Sequence, residues 1–443
     1  MPSAADRFRR RRRALSERYG RTTLALLALI LALGLGLRAY RVVEPLGTPG
    51  TDSHAYYALA KALYAEGSYG GPSFRDSSDW SPGAPLLYAA AFYATGGARE
   101  GTARIVEALL GVAAILVVFL LGTRINCRPA GLIAALGVAV YPPFIHSTGE
   151  LMSEPVATFT LPAAVLAFLW ATSAPPPRRQ DTPARWLVPG VLFGLTALIR
   201  PEYLLVGIAF AAFAAIRAGR RRGGRSGLAA AAIFAAAFLL PIVPWTVRNA
   251  VVLGRLVPIS TGGGKALYVG TYLPADGDYQ RVKALLAERY LHRNLEPGSA
   301  ALDRVDPRPL FDRVAARYPD LPRDSALGRI GKQDFSRYFG EDPLGYLAMT
   351  ARKAGRIWSA GVGEAMGSTV GRIVQVLIAL LGLGGLVVLA MRRRYWELVA
   401  MAAPIALVTA IGAVSLAAPR RGEILMTLVF PLAGAALARA GGS

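Results

Sequence analysis

The stretch TTLALLALILALGLGLRAY, Thr22–Tyr40, carries a single charge, Arg38, near its far end. A helix needs about 20 apolar residues to cross the hydrocarbon core of a bilayer, so this segment reads as a membrane span. A basic run, Arg9–Arg13, precedes it, and no small-residue cleavage site follows, so it is expected to stay as a first span. Nine more apolar runs follow: Arg104–Gly122, Ala130–Ser147, Ser153–Thr172, Trp186–Ile199, Tyr203–Ile216, Leu228–Val247, Val370–Met391, Tyr395–Ala417 and Ile424–Ala438. Trp186–Ile199 and Tyr203–Ile216 are short and read as a pair bent at Arg200-Pro201-Glu202, where proline breaks helical geometry. With 53% hydrophobic residues and a mean hydropathy of +0.39 over 443 residues, the chain is expected to be an all-α polytopic membrane protein, a bundle of about ten spans.

The net charge of +22 invites a nucleic-acid reading, and the placement of the charges argues against it. Segments 1–21, 123–129, 173–185, 217–227, 392–394 and the C-terminal tail hold 22 of the 50 Lys/Arg residues, against four acids (Asp6, Glu17, Asp181, Glu397) on that side. This bias follows the positive-inside rule and orients both termini toward the cytoplasm. Arg9–Arg13 is then a topology anchor on anionic lipid, and no nucleic-acid partner is expected. Pro82–Thr95 is apolar but short. Counting it as a span would move Arg124, Arg128, Arg178, Arg179 and Arg220–Arg222 outside, so it reads as an interfacial or re-entrant helix. Cys127 is the lone cysteine, which excludes a disulfide framework and a cysteine-based zinc site.

Four stretches organise the chain: a basic tail 1–21, a membrane module 22–247 containing a first outer loop 41–103, a long outer loop 248–369, and three closing spans in 370–443. Apolar spacing of three and four predicts short helices over Tyr279–Asn294, Pro309–Tyr318 and Ser325–Phe339. Asp342–Trp358 reads as a helix lying on the outer leaflet.

Three sets of residues can carry chemistry at the outer face. Asp52 follows the first span in Gly50-Thr51-Asp52-Ser53-His54-Ala55-Tyr56-Tyr57, with Gly47 and Gly50 allowing a sharp turn before it. His54, Tyr56 and Tyr57 are candidate substrate contacts. Glu154 opens a span, with Glu150 and His146 each four residues further upstream. A rim acid either reaches headgroup water or points inward, where it is functional. Two carboxylates from separate outer turns can position an acceptor or hold a divalent cation, though the sequence supports no metal site and no cofactor. The third set is cationic: Arg200, Arg248, Lys265 and the Arg420-Arg421 pair, of which Arg421 is the first choice to meet a phosphate by charge-assisted hydrogen bonds. Gly262–Lys265 is not a P-loop, since Ala266 stands where Ser or Thr is needed. It is a phosphate nest or, more plainly, a flexible turn.

Taken in order, Asp52 with Tyr56 and Tyr57, Ser81-Pro82-Gly83-Ala84-Pro85, Ser153-Glu154, Gly194–Pro201, Pro244–Asn249, and Arg421 with Pro431 resemble the GT-C membrane glycosyltransferases. The likeness is to the group holding Rgt-type glycosyltransferases, protein O-mannosyltransferases and lipid A aminoarabinose transferases. It implies a GT-C helical bundle, a polyprenyl-phosphate sugar donor, and transfer to an extracytoplasmic acceptor at the cell membrane. It also implies Asp52 as base and Glu154 as the second outer acid. Many members carry adjacent acids in the first loop, whereas Ser53 follows Asp52 here. With no second carboxylate placed as a nucleophile, single displacement would invert the anomeric centre. The rival class is a secondary transporter or lipid-linked sugar flippase. Such proteins place ionisable residues near the midplane, whereas Leu24–Leu37, Leu109–Leu121 and Val374–Ala390 carry no charge.

Overall fold

The computed structural model describes residues 20–44, 51–70, 78–173, 183–359, 361 and 364–440. The glycine turn at Gly47 and Gly50, the Arg9–Arg13 run and the 174–179 connector lie outside the described residues. Among the described residues the secondary structure is helical, with no strand. In chain order the helices are α1 (Arg21–Val43), α2 (Thr51–Glu66), α3 (Gly83–Thr95), α4 (Glu100–Ile125), α5 (Arg128–Val140), α6 (Pro142–His146) and α7 (Ser153–Thr172). A short 3₁₀ turn leads into α8 (Leu187–Ile199), followed by α9 (Tyr203–Arg222), α10 (Gly224–Leu253), α11 (Gly263–Thr271), α12 (Tyr279–Leu291), α13 (Ala300–Asp303) and α14 (Pro307–Ala315). The chain continues through α15 (Arg323–Glu341), α16 (Pro343–Ser359), α17 (Glu364–Gly367), α18 (Thr369–Met391), α19 (Tyr395–Val414) and α20 (Pro419–Ala440).

Eight of these, α1, α4, α7, α9, α10, α18, α19 and α20, are long and apolar enough to cross a bilayer. The shorter apolar helices Arg128–Val140 and Ala184–Ile199 occupy the positions of two further expected spans. The chain is a multi-pass membrane protein. Burial sorts the spans: α7 is covered along most of its length and is the centre of the bundle, whereas α1 turns Leu26, Leu29 and Leu33 outward. In lipid such exposed leucines sit in an apolar solvent and need no partner.

Several expected boundaries move for identifiable reasons. The run read as one span, Ala130–Ser147, is broken at Tyr141, because Pro142 and Pro143 supply no N–H to continue the helix. α9 and α10 extend past the apolar stretch into basic residues, and α10 runs on through Pro241 and Pro244. Hydropathy marks where lipid ends, and the helix does not stop there. The closing helix begins at Pro419 rather than Ile424, which places Arg420 and Arg421 in its first turn.

At the end of the bundle remote from Asp52, Arg124 and Arg394 both meet Glu397, at 2.9 and 2.8 Å. Residues 248–369 build a separate apolar cluster around Tyr268, Leu286, Phe311 and Leu327. The helices expected over Tyr279–Asn294, Pro309–Tyr318, Ser325–Phe339 and Asp342–Trp358 correspond to α12, α14, α15 and α16. The Gly262–Lys265 run, read as a flexible turn, instead starts helix α11, which lies tightly along α15. A Cβ on Gly264 would come within 1.8 Å of the Asp324 carbonyl oxygen, so only glycine permits that approach.

Candidate active site

Asp52 sits in the first turn of α2, where a carboxylate suits the positive end of the helix dipole. Its Oδ2 accepts from Arg420 Nη1 at 2.9 Å, across 368 residues of chain. The two side chains remain 46% and 43% exposed, so this pair opens to the surroundings. Beside it Ser53 is buried, and its hydroxyl donates to the Glu150 carbonyl, tying α2 to the turn before α7.

The second group is more enclosed. Glu154, in the first turn of α7, accepts from Arg200 Nη1 at 2.8 Å and from the Ser153 hydroxyl at 3.0 Å. Arg200 also donates through Nε to Glu202 at 2.9 Å, and Arg421 Nε lies 3.6 Å from the same Glu202 oxygen. The bend Arg200-Pro201-Glu202 thus delivers alternate charges to one point: the proline stops α8, and the two flanking side chains turn to the same side. Burial alone would lower the Arg200 guanidinium and raise the Glu202 carboxyl. The facing charges outweigh burial in both, so Arg200 is raised above its ordinary range and Glu202 held below its own. Tyr56 is buried beside this group, its hydroxyl meeting Ser153, and burial together with Glu154 pushes its phenol up.

The sequence candidates therefore separate. Asp52 joins Arg420, while Glu154, Arg200, Arg421 and Tyr56 join one charged cluster that also includes Glu202. Tyr57 donates to the Ala98 carbonyl at 2.9 Å and packs edge-on against Phe92, which fixes α2 on α3. His54 is exposed on α2. Arg248 stacks over Tyr69 and Trp245 and donates to the Tyr69 carbonyl at 2.6 Å. Its neighbours in the Pro244–Asn249 motif act as a clasp, with Trp245 and Asn249 both donating to the Ile259 carbonyl. Lys265 lies in the first turn of α11, its backbone N–H donating to Asp324 at 3.1 Å. Of the late arginines, Arg421 is the enclosed one, its side chain 12% exposed, and Arg420 is the one that faces Asp52.

Sequence reasoning passed over two acids. Glu202 was read only as part of a bend. Glu423 lies one residue before the apolar run, is buried near Glu154 and Arg420, and meets Ser147. Its signal in the sequence is a carboxylate four residues after Pro419, directly ahead of the apolar run. Asp52, Glu154 and Glu202 each have a cationic partner, and among the described residues no group of three or more His, Cys, Asp or Glu gathers as metal ligands.

Residues 79–245 match the model of the dolichyl-phosphate-mannose-protein mannosyltransferase family. No curated protein matches the sequence. Among solved structures, the oligosaccharyltransferase AglB from Archaeoglobus fulgidus, in complex with an inhibitory peptide and a dolichol-phosphate, superposes with a TM-score of 0.55 at 16% identity, over 96% of this chain and 50% of its own. The Archaeoglobus fulgidus oligosaccharyltransferase tethered to an acceptor peptide gives a TM-score of 0.51 at 17% identity, over 96% and 50%. This chain spans about half the length of those proteins. With eight long and two shorter apolar helices and this superposition, the chain has the fold of these structures, that of the GT-C membrane glycosyltransferases.

Proposed function

We propose that this protein is a membrane glycosyltransferase that moves a sugar from a polyprenyl-phosphate donor to a hydroxyl acceptor on the extracytoplasmic side. The observation that carries the reading is the Asp52–Arg420 pair, an exposed carboxylate and guanidinium joined at 2.9 Å beside the buried Glu154–Arg200–Glu202 cluster. A carboxylate at this place removes the acceptor proton as the hydroxyl oxygen attacks the anomeric carbon. The bond to the donor phosphate breaks, and the polyprenyl phosphate leaves with the electron pair. Arg420, with Arg421 behind it, supplies positive charge to the developing phosphate anion. Arg420 engages Oδ2 of Asp52, which leaves Oδ1 for the proton. Glu154, fixed by Arg200 and Ser153, serves to orient the acceptor. Tyr56 packs beside Glu154 and Ser153, while Arg248, Lys265, His54 and Tyr57 have no direct part in the chemistry in this scheme.

The donor class is tested with purified protein in liposomes, supplied with a polyprenyl-phosphate sugar or the corresponding nucleotide sugar. Transfer from the lipid donor alone is expected, and Arg421→Gln, which keeps hydrogen-bonding groups but removes the charge, is expected to slow it. Transfer from the nucleotide sugar with none from the lipid donor would refute the scheme.

Sidedness is tested separately. In a Cys127→Ser background, cysteines at Ser226 and Ser299 are probed with an impermeant thiol reagent on intact cells. Labelling is expected at 299 and not at 226. The basis is the 22-to-4 excess of basic over acidic residues on the inner side. Labelling at 226 would reverse the orientation and place the Asp52 pair in the cytoplasm.

A further inference from the structure

Two charged side chains are buried between spans, away from the site: Arg38 of α1 and Glu107 of α4. They line one small cavity together with Gly111, Phe144, Thr148 and Thr158. Each grips one end of the connector that links α5 to α7. α5 stops because Pro142 and Pro143, which should donate to the carbonyls of Val138 and Ala139, have no N–H. The Arg38 guanidinium replaces both missing donors, reaching Val138 O at 3.1 Å and Ala139 O at 3.3 Å. Gly111 makes room for it, since a Cβ there would lie 2.4 Å from Arg38 Nε.

At the other end Glu107 accepts from the backbone N–H groups of Gly149 at 2.7 Å, Met152 at 3.1 Å and Leu151 at 3.4 Å. The Tyr88 hydroxyl, 2.9 Å from the Met152 carbonyl, also donates to it. The backbone it holds is costly. Gly149 has φ +91°, and Leu151, a bulky residue, has φ +52°, in the left-handed region. Immediately beyond come Ser153 and Glu154, and within the turn Glu150 accepts the Ser53 bond that ties it to α2.

We propose that Arg38 and Glu107 form a buried clamp of balanced charge that sets the pose of residues 141–152. They are positioning residues, which place Glu150 and Glu154 against α2 through the backbone without touching substrate. The kinetic part of this inference rests on the glycosyltransferase reading above, while the structural part does not.

The test uses the full chain in lipid nanodiscs and reads hydrogen exchange and transfer kinetics together. Glu107→Gln offers one acceptor oxygen and an amide nitrogen that cannot accept, so part of the N–H set is orphaned. Exchange at 149–152 is expected to rise about tenfold or more, with α18 and α19 unchanged. The kcat for transfer is expected to fall about tenfold or more, because misplaced groups lose rate steeply, while donor KM stays within about twofold. Arg38→Met/Glu107→Gln, which restores charge balance, is expected to melt higher than either single variant. If Glu107→Gln does not fold, Gly111→Ala displaces Arg38 from the other side and is expected to raise exchange across the connector. Unchanged exchange at 149–152 in Glu107→Gln, or across the connector in Gly111→Ala, overturns the clamp. Faster exchange with unaltered kcat overturns the positioning role. Faster exchange in a protein whose wild type transfers no sugar leaves the clamp standing and overturns the proposed function instead.

Discussion

Asp52→Asn is expected to lose transfer by about a hundredfold or more while the protein still inserts and melts like wild type. The amide keeps the side chain's shape and can still accept from Arg420, but it cannot take a proton at neutral pH. The exposure of the pair makes the structural cost small, since an exposed ion pair contributes about 0–1 kcal/mol. Activity and stability should therefore separate cleanly at this position. The measurement is turnover with the lipid donor, set beside a thermal melt of the same preparation. Near-normal turnover would remove Asp52 as the base, and a melt lowered in proportion to activity would assign it a structural role.

Arg200→Met has the opposite signature, a large structural effect. The guanidinium serves Glu154, whose side chain is 4% exposed, and Glu202, at 10%. Removing one partner from a buried pair costs about 3–5 kcal/mol, because the remaining charge is left uncompensated. The pH dependence gives a sharper check. In the wild type Glu202 is held below its ordinary 4.5, so its stabilising contribution is present above that value and is lost as pH falls through the lowered one. Without Arg200, only Arg421 at 3.6 Å opposes burial, and the carboxyl shifts upward from its wild-type position. The variant should then gain more stability than the wild type as pH falls from 7 toward 5. Melting temperatures of both proteins across that range decide it: parallel curves would mean Arg200 does not set the charge state of this cluster. Arg200→Lys should fall between, since one ammonium cannot reproduce the bonds the guanidinium makes to both acids.

How much of this was legible in the chain differs between fold and site. The spans stand out because lipid demands long apolar runs, and the apolar helices lie where those runs are. Their ends were less legible. Pro142-Pro143 was a sufficient signal to divide Ala130–Ser147, whereas nothing in the hydropathy of Tyr203–Ile216 says that the helix continues to Arg222. Within the site, Asp52, Glu154 and Arg200 could be singled out because a charge at the rim of an apolar run is conspicuous. Their partners could not. That Arg420 meets Asp52, or that Glu107 collects three backbone N–H groups from 149–152, is fixed by helix packing rather than by local pattern. Arg248 shows the converse. Its motif is conspicuous, and the structure uses much of that motif to hold the α10–α11 connection.

The 368-residue separation between Asp52 and Arg420 also bears on biosynthesis. Ribosomes deliver α2 to the membrane early and α20 much later. During most of translation the Asp52 carboxylate has no guanidinium beside it, and Glu202 lacks the charge of Arg421. Arg323, which reaches Asp79 in the first loop, also emerges late. A nascent or stalled chain therefore exposes an incomplete centre that has Arg200 but still lacks Arg420 and Arg421. On the function proposed above, a lipid-linked donor meeting such a chain would find no Arg420 or Arg421 to receive its phosphate until α20 is inserted.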